Sequence, residues 1–311
     1  MGLSKCSICK SDNVTELFAS KDYISGEEFI IYICKACGAG VTHPQPQNIN
    51  CYYPANYRRF AAPVEWFLQT FYEFHVKKWM PKLGSSGRAL EIGCGSGWML
   101  RALHKQGWNV VGLERTEEEA RFVSSLTGLK ILSGDIAEIP SEPKYDLILL
   151  FNVLEHMTDP RDVLQRCKKL LKEDGVLILS THNFDSWQAH ILGPRWFHLD
   201  VPRHLFHFTP KALANLLEME GLDIIQIKSI SMVHDIYGWL QGMLNKIGFR
   251  QNRLAQGLIG GNSATLVAPS GVVMTVIAVL LTIPSFFLSL TSMLFGSGAI
   301  MEVWVKKKDV T

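Results

Sequence analysis

The sequence predicts an α/β protein whose core is a mostly parallel sheet with helices on both faces. Three observations carry that prediction. Residues 90–97, Leu-Glu-Ile-Gly-Cys-Gly-Ser-Gly, end an apolar run with glycines at 93, 95 and 97 and lead at once into an amphipathic stretch over 98–106. That pattern is strand, tight turn, helix. From there to residue 180, short apolar runs alternate with helical patterns, which implies parallel strands with ligands at their carboxyl ends. Ahead of the sheet, two Cys-x-x-Cys pairs mark a small module of their own.

In chain order, the cysteines come first. Cys6 and Cys9 are separated from Cys34 and Cys37 by 24 residues, each pair in a short knuckle. Four thiolates on two knuckles suit tetrahedral zinc, and a ribbon this small needs a metal to hold it together. Four thiolates leave no open position, so the zinc is expected to be structural. Residues 28–33 alternate as a hairpin strand. The ribbon is assigned to residues 1–50. Residues 51–86 form a link, Tyr52-Tyr53-Pro54-Ala55-Asn56-Tyr57, and one aromatic helix over 60–83 that contains Phe60, Tyr72 and Trp79. This helix packs on the core, lies as a lid over the neighbouring cleft, or does both.

The glycine turn has a chemistry of its own. Glycines let the backbone turn sharply and approach a ligand, and the following helix N-terminus favours negative charge. The spacing differs from the G-x-G-x-x-G dinucleotide fingerprint. Glu91 sits two residues before the first glycine. A ligand with an amino acid at one end suits both features, its ammonium near Glu91 and its carboxylate near the helix.

On these residues the chain resembles the class I S-adenosylmethionine (SAM) dependent methyltransferases, over about 87–235 and again over 298–306. The resemblance implies a Rossmann-like seven-stranded sheet and SAM as cofactor. It places Glu91, Gly93, Gly95 and Gly97 at the methionine end of SAM. Glu114, at the end of the next strand, falls at the ribose diol, Asp135 at the adenine amino group, and Asn152 completes the cofactor set. Ribbon followed by tyrosine-rich link resembles a recurring subfamily of bacterial methyltransferases. Related quinone and small-RNA methyltransferases carry Glu-x-x-Glu-His where this chain has Asn152-Val153-Leu154-Glu155-His156. The first acid is missing, so no catalytic divalent cation is expected there.

Methyl transfer from a sulfonium is an in-line displacement in which alignment supplies much of the rate. A base is needed only when the acceptor must lose a proton, and histidine fits neutral pH best. Residues 184–209 contain His190, His198, His204 and His207. The piece 200–209 resembles a segment that this subfamily places over the carboxyl edge of the sheet. His204 is the expected base, with His207 second; the competing reading is that these histidines only fasten a loop.

From residue 254 to 301 there is no Asp, Glu, Lys, Arg or His. With strands expected at 222–230 and 298–306, residues 236–297 are an insertion before the last strand, and 298–311 are that strand and a basic tail. Residues 235–253 suit a helix in a membrane interface. Pro284 divides 272–295 into arms of 12 and 11 residues. Each arm reaches only about 17 Å, short of a bilayer core of roughly 30 Å, so a hairpin dipping into one leaflet is expected. A buried helix pair or a dimer interface is the alternative.

The formal net charge is +2, and no basic stripe with interleaved aromatics argues for nucleic acid. Seven cysteines without a signal-peptide core suggest a reducing compartment, hence the cytoplasmic face of a membrane. The expected activity is methylation at oxygen or carbon of a small-molecule or lipid-linked acceptor. Two rivals stay open: a nucleic-acid methyltransferase with the ribbon as reader, and a non-catalytic module that binds SAM or partners.

Overall fold

The computed structural model describes residues 2–53, 62–229, 232–258 and 267–308. β1 (Val14–Lys21), β2 (Glu28–Cys34) and β3 (Gly40–His43) form an antiparallel meander that carries the cysteine knuckles. The sheet does not close within the ribbon. Its fourth strand, β9 (Phe206–His207), arrives from the histidine-rich segment and pairs with β3 through Gly40–His207 and Val41–Phe206.

α1 (Ala62–Lys77) and α2 (Met80–Leu83) follow where a single helix over 60–83 was expected. The chain turns between them because Trp79 is drawn into the core against Trp304 and Phe151, and Pro81 then starts the second helix. Phe60 and residues 54–57 of the tyrosine-rich link lie outside the described residues.

The central sheet contains β4 (Arg88–Ile92), β5 (Asn109–Glu114), β6 (Lys130–Ser133), β7 (Tyr145–Phe151), β8 (Leu171–His182), β10 (Leu222–Ser229) and β11 (Ile300–Lys307). Their spatial order is β10-β11-β8-β7-β4-β5-β6. β11 runs against both its neighbours, and β4 to β8 pair in parallel. Leu147, Ile148, Leu149 and Leu150 of β7 are all fully buried, as a parallel strand covered on both faces requires. The strand expected at 222–230 ends at Ser229, and Ile230 lies outside the described residues.

α3 (Trp98–Lys105), α4 (Glu117–Thr127), α5 (Pro160–Leu170), α6 (Trp187–Leu192) and α7 (Pro210–Met219) connect the strands. Their starts follow local chemistry. Thr116, Asp159, Ser186 and Thr209 each accept a backbone N–H from the first turn, and Pro160 and Pro210 occupy positions that need no donor.

The insertion departs from expectation in two ways. The helix expected over 235–253 is α8 (Met232–Lys246), interrupted at Gly248 (φ +105°) before the short α9 (Arg253–Leu258). Its apolar residues Trp239, Leu240 and Leu244 are buried against protein. The expected hairpin is instead one continuous helix, α10 (Pro269–Leu294), which runs through Pro284. Gly271, Met274, Ala278, Ser285, Ser289 and Ser292 form one buried stripe along it, and that packing holds the helix together across the missing Pro284 donor.

Candidate active site

The glycine turn sits at the carboxyl end of β4. Gly93, Gly95 and Gly97 all have left-handed φ, at +66°, +56° and +71°. A Cβ at Gly93 would fall 2.7 Å from Val153 Cγ2, and one at Gly97 2.6 Å from Thr127 Cγ2. At Gly95 it would meet nothing within 4 Å, so packing explains two of the glycines and open space faces the third. The loop is pinned by Gly93 N–H to Leu113 O (2.8 Å) and Gly95 N–H to Glu114 Oε1 (2.5 Å).

That open space belongs to a cavity of about 230 Å³. Glu91, Gly93, Gly95, Trp98 and Asn152 line one half. Glu91 is buried, and its Oε2 has no hydrogen-bond partner among the described residues; the same is true of Asn152 Oδ1. Burial, reinforced by the nearby Glu114 charge, pushes the Glu91 carboxyl well above the usual carboxylate range. Two unsatisfied acceptors on one cavity wall call for a donor-bearing ligand.

His182, His198, His204, Phe197, Tyr23 and Ala255 line the other half. The rings of His204 and His182 lie 4.7 Å apart, and those of His182 and His198 4.6 Å. His204 Nδ1 is 2.8 Å from His198 O. A carbonyl can only accept, so Nδ1 carries the proton and Nε2 keeps its lone pair. Burial, then the neighbouring imidazoles His156, His182 and His207, holds His204 well below its ordinary pKa and therefore neutral. Burial alone would raise the Glu155 carboxyl, but His182, 3.0 Å away, and then His156 bring it below the ordinary range.

Residues 65–227, just over half of the chain, match the methyltransferase-domain family. The chain belongs to the SAM-dependent methyltransferases of class I. Curated relatives include ubiquinone biosynthesis O-methyltransferases from Actinobacillus pleuropneumoniae, 32% identical over 161 residues (45% of this chain, 68% of the relative), and Histophilus somni, 34% identical over 132 residues (37% and 54%). The chain thus spans from about half to about two thirds of the length of these relatives. Among solved structures, the complex between the Haloferax volcanii Trm112 methyltransferase activator and its methyltransferase partner gives a TM-score of 0.53 at 12% identity, covering 80% of this chain and 95% of that one. A protein from Galdieria sulphuraria assigned as a sarcosine dimethylglycine methyltransferase gives 0.50 at 16%, covering 84% and 96%. At such identities the likeness concerns the fold.

The unpartnered Glu91 and Asn152 oxygens and the open face of Gly95 fit the amino-acid end of SAM in this methyltransferase. The other sequence-predicted residues are placed less uniformly. Glu114 ends β5 and is turned toward the Gly95 amide. Asp135 is exposed and accepts Ala137 N–H at 2.8 Å, which caps the turn at Ile136–Glu138. Neither Glu114, Asp135 nor Gly97 lines the cavity. His207 is also outside it, with Nε2 2.9 Å from Thr42 Oγ1 of β3 and its pKa pushed down to about 3 by burial and then His182. Its geometry is that of a strut between the methyltransferase domain and the ribbon.

Sequence reasoning missed several residues of this methyltransferase site. Tyr23, from the β1–β2 turn, lines the same cavity as the glycine loop. It is held by the fully buried Arg203, whose guanidinium lies 4.4 Å from the Tyr23 ring and bonds Asp22 (2.9 Å), Asp200 (2.8 Å) and Tyr52 O (2.8 Å). Glu65 of α1 accepts Trp98 Nε1–H at 2.7 Å beside the glycine turn, and Tyr72 stacks on Trp98, so this helix both packs on the core and covers the cleft. Ligand atoms of Glu155, His182 and His204 lie within 4.8 Å of one another, a set that could hold a cation although the sequence argued against one. The segment's Arg203 and the acids Asp22 and Asp200 were the available sequence signal, since charges seldom sit in such apolar surroundings unpaired.

The four ribbon cysteines come together as expected. Their sulfurs lie within 4.8 Å of one another, with Cys6–Cys37 at 3.7 Å and Cys9–Cys34 at 3.5 Å. A tetrahedron with Zn–S bonds of about 2.3 Å has edges of about 3.8 Å, so the donor set and its size both fit zinc.

Proposed function

We propose that this methyltransferase alkylates a hydroxyl oxygen, or failing that a carbon, of a small-molecule or lipid-linked acceptor at the cytoplasmic face of a membrane, with His204 as base. SAM supplies an activated methyl group when bound. Glu91 and Asn152 hold its amino end against the glycine loop, and Glu114 and Asp135 serve the ribose and adenine. An acceptor hydroxyl against His204 Nε2 would give its proton to that nitrogen as its oxygen takes the methyl group and the sulfonium sulfur departs as a neutral thioether. The carrying observation is the tautomer of His204: buried, neutral, its Nδ1 committed to His198 O and its Nε2 lone pair retained, on the same cavity as the glycine turn. The O-methyltransferase activity of the ubiquinone-biosynthesis relatives supports oxygen over carbon. The ribbon zinc is structural and keeps Tyr23 in the cavity wall.

Labelled methyl transfer from SAM into bacterial membrane extracts tests this reading. His204→Ala should lower turnover by roughly 100-fold, within the range for loss of a general base, while S-adenosylhomocysteine affinity is kept. Turnover unchanged in that variant would return His204 to a loop fastener.

A further inference from the structure

α10 is a helix with two unlike faces and no charged residue. Its buried stripe runs along its whole length, from Gly271 and Met274 to Ser289 and Ser292. Met274 and Ala278 pack with Leu240, Leu244 and Leu254 of α8 and α9, and Phe295, just past its end, stacks on Trp187 of α6 at 5.5 Å. Both ends are therefore fastened to the same body. The helix is about 39 Å long. The opposite face carries Val272, Val276, Val279, Leu280, Ile283 and Phe287, each more than half exposed. A continuous apolar face of this extent marks an interaction site.

We infer that this bare face is a docking surface for an anionic lipid leaflet, on which α10 lies flat. The inference rests on the membrane reading above and gives it a surface and an orientation. Two observations favour lipid over a second copy of the chain. Thr275, Thr282 and Thr291 sit on the exposed side, and each hydroxyl donates back to the carbonyl four residues earlier, at Gly271 (2.9 Å), Ala278 (3.0 Å) and Phe287 (2.9 Å). Polar groups satisfied inside the helix are what hydrocarbon demands, whereas a protein interface offers partners. The charge also matches: between residues 236 and 301 the charged side chains are Lys246, Arg250 and Arg253, all basic. Lys246 and Arg250 are exposed at and just past the end of α8, whose Leu244 packs with Met274 of α10. A transmembrane pose is incompatible with the buried stripe, because crossing would drag α8 and its buried Gln241 and Asn245 into the bilayer.

The buried side of α10 leads to the catalytic cavity. Leu254 of α9 packs on α10, and the next residue, Ala255, lines the cavity. The acceptor is accordingly an amphiphile resident in the leaflet, whose reacting group reaches the cavity past α9.

Flotation of the full-length protein with vesicles of phosphatidylcholine, alone or mixed with phosphatidylglycerol, tests the inference. Binding is expected to the mixed vesicles and to weaken with salt. The double variant Ile283→Glu/Phe287→Glu, altered only at exposed positions, should lose roughly tenfold or more of that binding. It should still bind S-adenosylhomocysteine, which shows that the protein remains folded. A fluorescent residue at Val272, Leu280 or Leu294 should report one shallow depth with lipid-borne quenchers. Three results overturn the inference: no flotation with either vesicle, a depth that increases steadily along the helix, or a lipid-free dimer that the double variant dissolves. Methyl transfer to membrane extracts, measured separately, shows whether the acceptor reading survives such a result.

Discussion

Gly95→Ala separates what the glycine turn does for the fold from what it does for the cofactor. The added methyl would meet no protein atom within 4 Å, so it creates no clash in the free protein. What remains is the left-handed backbone, φ +56°, which costs a non-glycine residue about 1–2 kcal/mol. Gly128→Ala is the matched control: φ is +70°, again nothing lies within 4 Å, and the site is the C-cap of α4 away from the cavity. With an unfolding entropy of about 2.1 cal/mol/K per residue over 311 residues, each variant should melt about 2–3 °C lower. Only Gly95→Ala should also lose SAM affinity, by roughly 100-fold or about 2.7 kcal/mol, because its methyl projects where the ligand lies and the loop is pinned on both sides. Gly93→Ala and Gly97→Ala should lose stability further, by about 1–3 kcal/mol, through contact with Val153 and Thr127. Calorimetric titration with SAM beside thermal melts makes the comparison. If Gly95→Ala binds SAM as tightly as Gly128→Ala does, the cofactor does not lie against this turn.

The ribbon should carry one zinc ion per chain by elemental analysis; Cys6→Ser or Cys37→Ser should remove it and release Tyr23 from the cavity wall, with S-adenosylhomocysteine affinity changing less than the melting temperature. A metal-free protein with an unchanged melt would contradict this. The Glu91 carboxyl, raised well above its ordinary value by burial and then by Glu114, is protonated in the free fold at pH values where the unfolded chain has already ionised. Its contribution to stability is therefore full below about pH 4.5 and is lost as pH rises through the raised pKa. A cationic ligand reverses the preference, so SAM affinity should rise with pH until that pKa and then level off, with proton release visible as different binding heats in two buffers. Flat affinity between pH 5 and 8 in both wild type and Glu91→Gln would refute that role.

The parallel half of the sheet was readable because its strands are short, continuous apolar runs, and the glycine turn because left-handed φ leaves few alternatives. The four cysteines announce their own geometry. What sequence could not supply is contact between segments far apart in the chain. Tyr23 and His204 line one cavity although about 180 residues separate them, and Arg203, whose partners are 3, 151 and 181 residues distant, holds Tyr23 there. The break expected at Pro284 followed a sound local rule that packing overrode. Small residues at 271, 278, 285, 289 and 292 repeat at helical spacings straight through the proline, and that was the signal for a continuous helix.

The pairing of β3 with β9 also sets a timetable. Val41 has no edge partner until Phe206 exists, 165 residues later. At about 5–20 residues per second of synthesis, the edge of β3 stays bare for roughly 8–33 s. The two knuckles leave the ribosome well before that, so the metal can gather them while the rest of the chain is still being made. Metal capture would then act as a placeholder, keeping the first three strands in register and shielding an unpaired edge from other nascent chains until the histidine-rich segment emerges to complete the sheet.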